Sequence, residues 1–213
     1  QLEGCLAEEA RVAAVFGSYD DQPAAPGLVS RYRNLLHHHV HQHGRREAST
    51  FWAGCGAIRR DVFLAVGGYP EHYGRPAIED IELGARLRRA GHRIRLCPEA
   101  QVTHLKRWTL ASVVRTDIVD RALPWSRLIA RSRALPNDLN VSWASRASAV
   151  AAWATLLFLA LALWRPLLGA GAIGSAVALA LLNGDLYRLF ARRGGAGLAT
   201  VGAALHALYL LYS

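Results

Sequence analysis

The chain has 213 residues, enough for one sizeable domain and a smaller unit, and its formal net charge of +9 rests on arginine, with Lys106 the only lysine. That charge fits anionic lipid or phosphorylated substrates; with neither zinc-finger spacing nor an aromatic–basic RNA signature in the sequence, nucleic acid is a poor partner. The three dispersed cysteines, Cys5, Cys55 and Cys97, form no CxxC pair, which argues against a disulfide scaffold and suits a reducing compartment.

The sequence contains no Met, begins at Gln1 and stops within an apolar run, so it is expected to be a piece of a longer protein. In chain order, Arg11–Gly17 reads as a buried strand, residues 18–27 as a loop, Leu28–His43 as a helix and Phe51–Ile58 as a strand or strand-loop. Arg60–Val66 is a short helix stopped by Gly67 and Gly68. Ile81–Ala90 is a helix with Leu83 and Leu87 one turn apart and Gly91 as its stop, and Arg93–Cys97 alternates as a strand. Trp108–Arg121 and Trp125–Arg133 predict amphipathic helices suited to a membrane surface. Near Arg146 the composition changes to apolar blocks at 147–164, 167–184 and 194–213, each 18–20 residues and close to the roughly 20 needed to span a bilayer core. The expected organisation is an α/β domain over 1–105, interfacial helices over 106–146 and about three transmembrane helices over 147–213. Arg127, Arg131, Arg133 and Arg146 before the first block, and Arg188, Arg192 and Arg193 before the third, place the α/β domain in the cytoplasm by the positive-inside rule.

The sharpest chemical segment is Ile78–Leu96, with Glu79 and Asp80 at a helix start, where the dipole and free amides favour an ionised carboxylate. Such a group either caps its helix or takes a proton from an attacking hydroxyl. Glu82, one turn on from Glu79, reads as solvent-facing. The histidines of 37–43 pair by helical spacing, His37 with His41 and His39 with His43, and lack acidic or Cys partners nearby. They read as a surface near lipid or substrate phosphate rather than as a metal site. Asp20-Asp21 reads as a loop or solvated turn.

The ordered set FWAGCGAIRRDVF (51–63), GGYP (67–70), IED (78–80) and HLKRW (104–108) resembles glycosyltransferase family 2 over roughly Val12–Trp125. The resemblance implies the C-terminal, acceptor-side part of a GT-A, Rossmann-like domain in a bacterial inner-membrane, multi-pass enzyme. It implies inverting transfer of a sugar from a nucleotide-sugar donor to a glycan or lipid-linked hydroxyl acceptor at the cytoplasmic face, with anionic lipid as a further partner. Asp80 then matches the catalytic base and Glu79 its partner. Gly54, Cys55 and Gly56 match the wall facing the acceptor, and Trp52 is either a sugar-stacking platform or core. Lys106, Arg107 and Trp108 resemble the end of a QxxRW element, with His104 where Gln is expected; His104 is a candidate metal or diphosphate ligand, or a structural residue. The implied cofactor is Mg²⁺ or Mn²⁺, its main ligands expected in a preceding DxD-bearing half. A competing expectation is a non-catalytic membrane partner in polysaccharide assembly that keeps a degenerate transferase domain.

Overall fold

The apolar run Val12–Phe16 forms the heart of β1 (Val12–Tyr19), a strand buried on both faces at the centre of a four-stranded sheet. The computed structural model describes residues 1–7, 11–133 and 135–213; of the ranges expected above, 1–105 and 106–146 include residues that lie outside these. β1 pairs in parallel with β4 (Arg93–Val102) and antiparallel with β3 (Gly56–Ile58), while the short β2 (Glu47–Ala48) lies antiparallel on the far side of β4. β4 runs five residues beyond its predicted end at Cys97, because it follows β1 out to the Ser18–Gln101 and Tyr19–Val102 pairs. Pro98 is tolerated there because β2 pairs only with Ile94 and Arg95, so its missing N–H breaks no bond to that strand.

Helices cover both faces of the sheet. On one, Leu2, Cys5 and Leu6 of α1 (Leu2–Ala7), a helix absent from the sequence expectation, pack on Val15, Cys97 and Ala100. On the other, Ala14, Phe16, Ile94 and Leu96 meet Leu83 and Leu87 of α4 (Glu79–Arg89), with Phe51 and Trp52 in the same cluster. α4 lies so close to the 50–51 backbone that a Cβ at Gly84 would sit 2.4 Å from the Phe51 nitrogen. α2 (Leu28–Gln42) and α3 (Arg60–Ala65) form where the sequence places them. The Phe51–Ile58 segment is instead a 3₁₀ turn at Ala53–Cys55 leading into β3.

The two amphipathic helices expected between 108 and 133 form one helical path. α5 (Leu110–Arg115) passes through a π-helical segment (Thr116–Ala122) into α6 (Leu123–Ser132). Its inner face is not offered to lipid, since Val113, Asp117 and Asp120 are buried. The linker returns to the domain through Asp138, which accepts backbone N–H bonds from Arg45 at 3.2 Å and Ser49 at 3.0 Å.

The apolar tail forms α7 (Trp143–Ala162), α8 (Gly169–Leu182) and α9 (Gly184–Tyr212). Among the described residues two of these, α7 and α9, are long and apolar enough to cross a membrane, against the three spans expected. α8 has 14 residues, about 21 Å of helix against a hydrocarbon core of about 30 Å. α9 is broken at Gly194 and Gly195, where Gly195 takes φ +66° and ψ −167°, a conformation open essentially to glycine alone. The break lays both halves of α9 along α2: Leu186, Phe190 and Leu198 bury against Tyr32, Leu35 and Leu36.

Candidate active site

Asp80 is the second residue of α4, whose N-cap position, Ile78, offers no side-chain cap. The carboxylate takes over that work and extends it: Oδ1 accepts the Ile81 N–H at 2.8 Å and Oδ2 the Ala53 N–H at 3.0 Å. Two amides from two elements thus fix its orientation. Asp80 also lines a cavity of about 180 Å³ with Trp52, Ile81, Asp117, Arg121 and Trp125 among its walls. Burial raises the Asp80 pKa above the usual carboxylate range, against the opposing pull of the Ala53 amide, the Arg121 guanidinium and the Ile81 amide. Glu79 does not join it. Its carboxylate turns back to accept the Ala77 N–H at 2.7 Å and closes the turn before α4.

Trp52, buried and beside Asp80, stands between the cavity and a stack of aromatic rings. His41 meets its indole edge-on at 4.4 Å between centroids and His37 at 5.4 Å, and both imidazoles stack on Tyr19. The histidine run is therefore not the surface that its polarity suggests. Burial lowers the pKa of His37 and takes that of His41 down to about 3, so both are neutral at ordinary pH. The helical spacing holds for both pairs: His37 and His41 share the face against Tyr19 and Trp52, and the rings of His39 and His43 lie 4.1 Å apart.

The other expected site residues stand elsewhere. A Cβ on Gly54 would lie 2.2 Å from the Tyr19 hydroxyl and one on Gly56 2.6 Å from the Phe51 ring, so both positions are glycine because protein occupies the space. Cys55, a half-buried free thiol, borders with Gly54 a gap of about 10 Å³, no larger than one water. Trp108 is buried and anchored through its backbone, its N–H donating to Ser30 Oγ at 2.9 Å. Lys106 lies 3.8 Å above the Trp108 ring, and Arg107 is exposed. None of these three lines the Asp80 cavity. His104 packs edge-on against Tyr19 at 4.6 Å, its pKa lowered by burial and by the nearby cations Lys106, Arg121 and Arg33. A neutral imidazole suits a metal, yet among the described residues no three His, Cys, Asp or Glu side chains are arranged to hold one. Taken alone, these residues do not fit a divalent-cation site.

Sequence reasoning missed several walls of the cavity. Arg33 of α2 and Asp117 form a bidentate ion pair, at 2% and 3% exposure, and the Tyr212 hydroxyl donates to Asp117 Oδ2 at 3.1 Å. Arg121 lies 5.5 Å from the Trp52 ring in a cation–π contact. Arg146, Tyr209 and Leu210 complete the far side. The signal available in the sequence was the Asp117, Asp120 and Arg121 spacing in a helix otherwise read as amphipathic. Glu82 likewise does not face open solvent, since it accepts the Tyr73 hydroxyl at 2.8 Å and holds the 69–77 loop to α4.

The family model described as the N-terminal domain of galactosyltransferase matches residues 33–108, from the start of the buried ion pair to the end of the HLKRW element. The O-antigen chain rhamnosyltransferase WbaN of Salmonella anatum is 45% identical over 53 residues, which is 25% of this chain and 16% of that protein. The matched stretch therefore spans only a small part of the relative's length. No solved structure matches the chain. The family-model match holds Trp52, Glu79 and Asp80, and by these two likenesses the chain carries a segment similar to those of glycosyltransferases.

Proposed function

We propose that the chain belongs to an inverting, family-2-type glycosyltransferase with a GT-A fold, in which Asp80 is the base that activates the acceptor hydroxyl at the cytoplasmic face of a membrane. The observation that carries this reading is the placement of Asp80. It is a carboxylate held by two backbone amides at a helix start, half-withdrawn from water and lining a cavity with an aromatic wall. The acceptor O–H proton passes to Asp80, and the oxygen forms a bond to the anomeric carbon of a nucleotide-sugar donor. The bond from that carbon to the diphosphate oxygen breaks, and the diphosphate leaves with the electron pair. A single base opposite the leaving group makes this one displacement, with inversion. Trp52 supplies an apolar face to a sugar ring, and its indole N–H has no acceptor among the described residues. Glu79 acts on Asp80 through the turn that it closes and does not touch substrate. A Mg²⁺ or Mn²⁺ ion bound with the donor would offset charge on the leaving diphosphate; no step is assigned to it, since the described residues hold no such site.

The test is sugar transfer by Asp80→Asn in membranes. Removal of a general base is expected to lower the rate by about 10²–10⁴-fold, with the fold retained by circular dichroism although one of the two amides loses its acceptor. An unchanged rate overturns the assignment and favours a non-catalytic role. Because burial raises the Asp80 pKa, transfer is expected to fall on acidification at a pH above that of an ordinary carboxylate, and Asp80→Glu should retain the acid limb but displace it.

A further inference from the structure

The histidine run of α2 serves two different places. His37 and His41 are closed in against Tyr19 and Trp52, whereas His39 and His43 line a second cavity of about 430 Å³ that Asp138, Asn183 and His206 also border. His39 and His43 stand at i and i+4 at the C-terminal end of the helix, with ring centroids 4.1 Å apart. His43 Nδ1 lies 2.9 Å from the His39 carbonyl oxygen. A carbonyl can only accept, so Nδ1 holds the proton and Nε2 keeps its lone pair. The ring nitrogens of His39 have no hydrogen-bond partner among the described residues. Burial, helped by the neighbouring His43, lowers the His39 pKa to about 4, so that imidazole is neutral and also offers a lone pair. Two neutral imidazoles one helical turn apart form a chelate, and the carbonyl behind His43 fixes its tautomer as the outer partner of a metal-bound histidine does. The end of α2 adds to this, since carbonyls at a helix C-terminus favour a cation. No carboxylate joins the pair. Asp185, whose charge reaches His39, is bound to Arg188 at 2.9 Å, and Asp138 accepts the Arg45, Ser49 and Leu139 amides. A donor set made only of nitrogen disfavours Mg²⁺ and Mn²⁺, which suit oxygen, and favours Zn²⁺ or Cu²⁺.

We propose that His39 and His43 chelate a nitrogen-preferring divalent metal, Zn²⁺ or Cu²⁺, which clasps the C-terminal end of α2. Among the described residues no three His, Cys, Asp or Glu side chains are grouped to hold a metal, so the seat has two protein ligands and its other positions go to water. Neither histidine lines the Asp80 cavity, and the chelate does not depend on Asp80 being a base.

The full chain in non-ionic detergent, stripped with EDTA, is titrated with Zn²⁺ by calorimetry, and its Cu²⁺ complex is read by electron paramagnetic resonance. A tight equivalent of Zn²⁺ is expected, undisturbed by a large excess of Mg²⁺, and the Cu²⁺ spectrum should carry hyperfine coupling from two imidazole nitrogens. His39→Gln and His43→Gln should each weaken Zn²⁺ by at least about tenfold, as befits loss of a direct ligand, while the exposed His72→Gln should not. Zn²⁺ should raise the thermal midpoint of the unaltered chain and not that of His43→Gln. His43 is exposed at the helix end, so this variant keeps the test open if His39→Gln does not fold. Absence of a tight equivalent, Zn²⁺ affinity unaltered in the two variants, or displacement of Zn²⁺ by Mg²⁺ overturns the proposal. A thiolate-to-copper charge-transfer band overturns it as well and assigns the metal to a cysteine.

Discussion

The apolar stretches of α7 and α9 have similar mean hydropathy, yet the two helices turn their largest apolar side chains to different surroundings. α7, paired with α8, turns Trp153, Leu157 and Leu159 outward, and Trp153 and Leu157 are each 57% exposed. α9 buries Leu186, Phe190 and Leu198 completely against α2 of the α/β domain. An apolar helix with an unpartnered outer face suits lipid, whereas one whose face is filled by a soluble domain is a structural element of that domain. The lesson is that hydropathy marks which segments avoid water without saying what they meet instead. α9 ends on the Asp80 cavity, so one of the two helices long and apolar enough to cross a membrane also shapes the candidate site.

The contrast is broken most directly at the Arg33–Asp117–Tyr212 contact, which joins α2, the π-helical segment and the end of α9. Asp117→Ala strands a buried guanidinium and is expected to cost about 3–5 kcal/mol, read as a fall in thermal midpoint in detergent. Phe190→Ala should also cost about 3–5 kcal/mol through the cavity left against Tyr32, whereas Leu157→Ala on the outer face of α7 should change stability in detergent by about 0.5 kcal/mol or less. Equal effects would show that α9 is no more embedded in the domain than α7. Gly195→Ala tests the kink that lays α9 on α2. Forcing a side chain into φ +66° and ψ −167° should cost about 1–3 kcal/mol, and a neutral result would mean that the break is not required.

The smallest effect concerns the other side of α2. His41 is neutral in the fold, with its pKa held to about 3, and becomes protonated in the unfolded chain below about 6.5. Its contribution is therefore fully present above about pH 6.5 and is lost as pH falls toward 3, with a limiting slope of about 1.4 kcal/mol per pH unit. Thermal midpoints measured between pH 7 and 4.5 should decline, and His41→Leu should flatten the decline. An unaltered slope would place the titration elsewhere.

Much of the α/β layer was legible before any coordinates. The continuous Val12–Phe16 run, the Leu83–Leu87 period and the glycine after residue 90 are local signals that tertiary contacts reinforce. α1 and β2 were not legible, because six residues and two residues carry too little periodicity to announce an element. At the site, Asp80 was legible because a carboxylate at a helix start is a local pattern. Arg121 was not, since its place on the cavity wall depends on Asp117 and Asp120 being paired with Arg33 and Arg75, 88 and 46 residues before it in sequence.

By itself, then, the sequence determined the longer helices, the central strand and the apolar blocks, that Asp80 stands at a helix start, and that the chain resembles glycosyltransferases, all of which depend on neighbours within a turn or two or on ordered short motifs. Only the tertiary structure decided that Glu79 turns away from Asp80, that His37 and His41 of α2 are buried, and that the last apolar block folds back through a glycine break to wall the cavity. Those outcomes depend on which distant surface a face is packed against, and a one-dimensional pattern of polarity records that a face is buried without recording its partner.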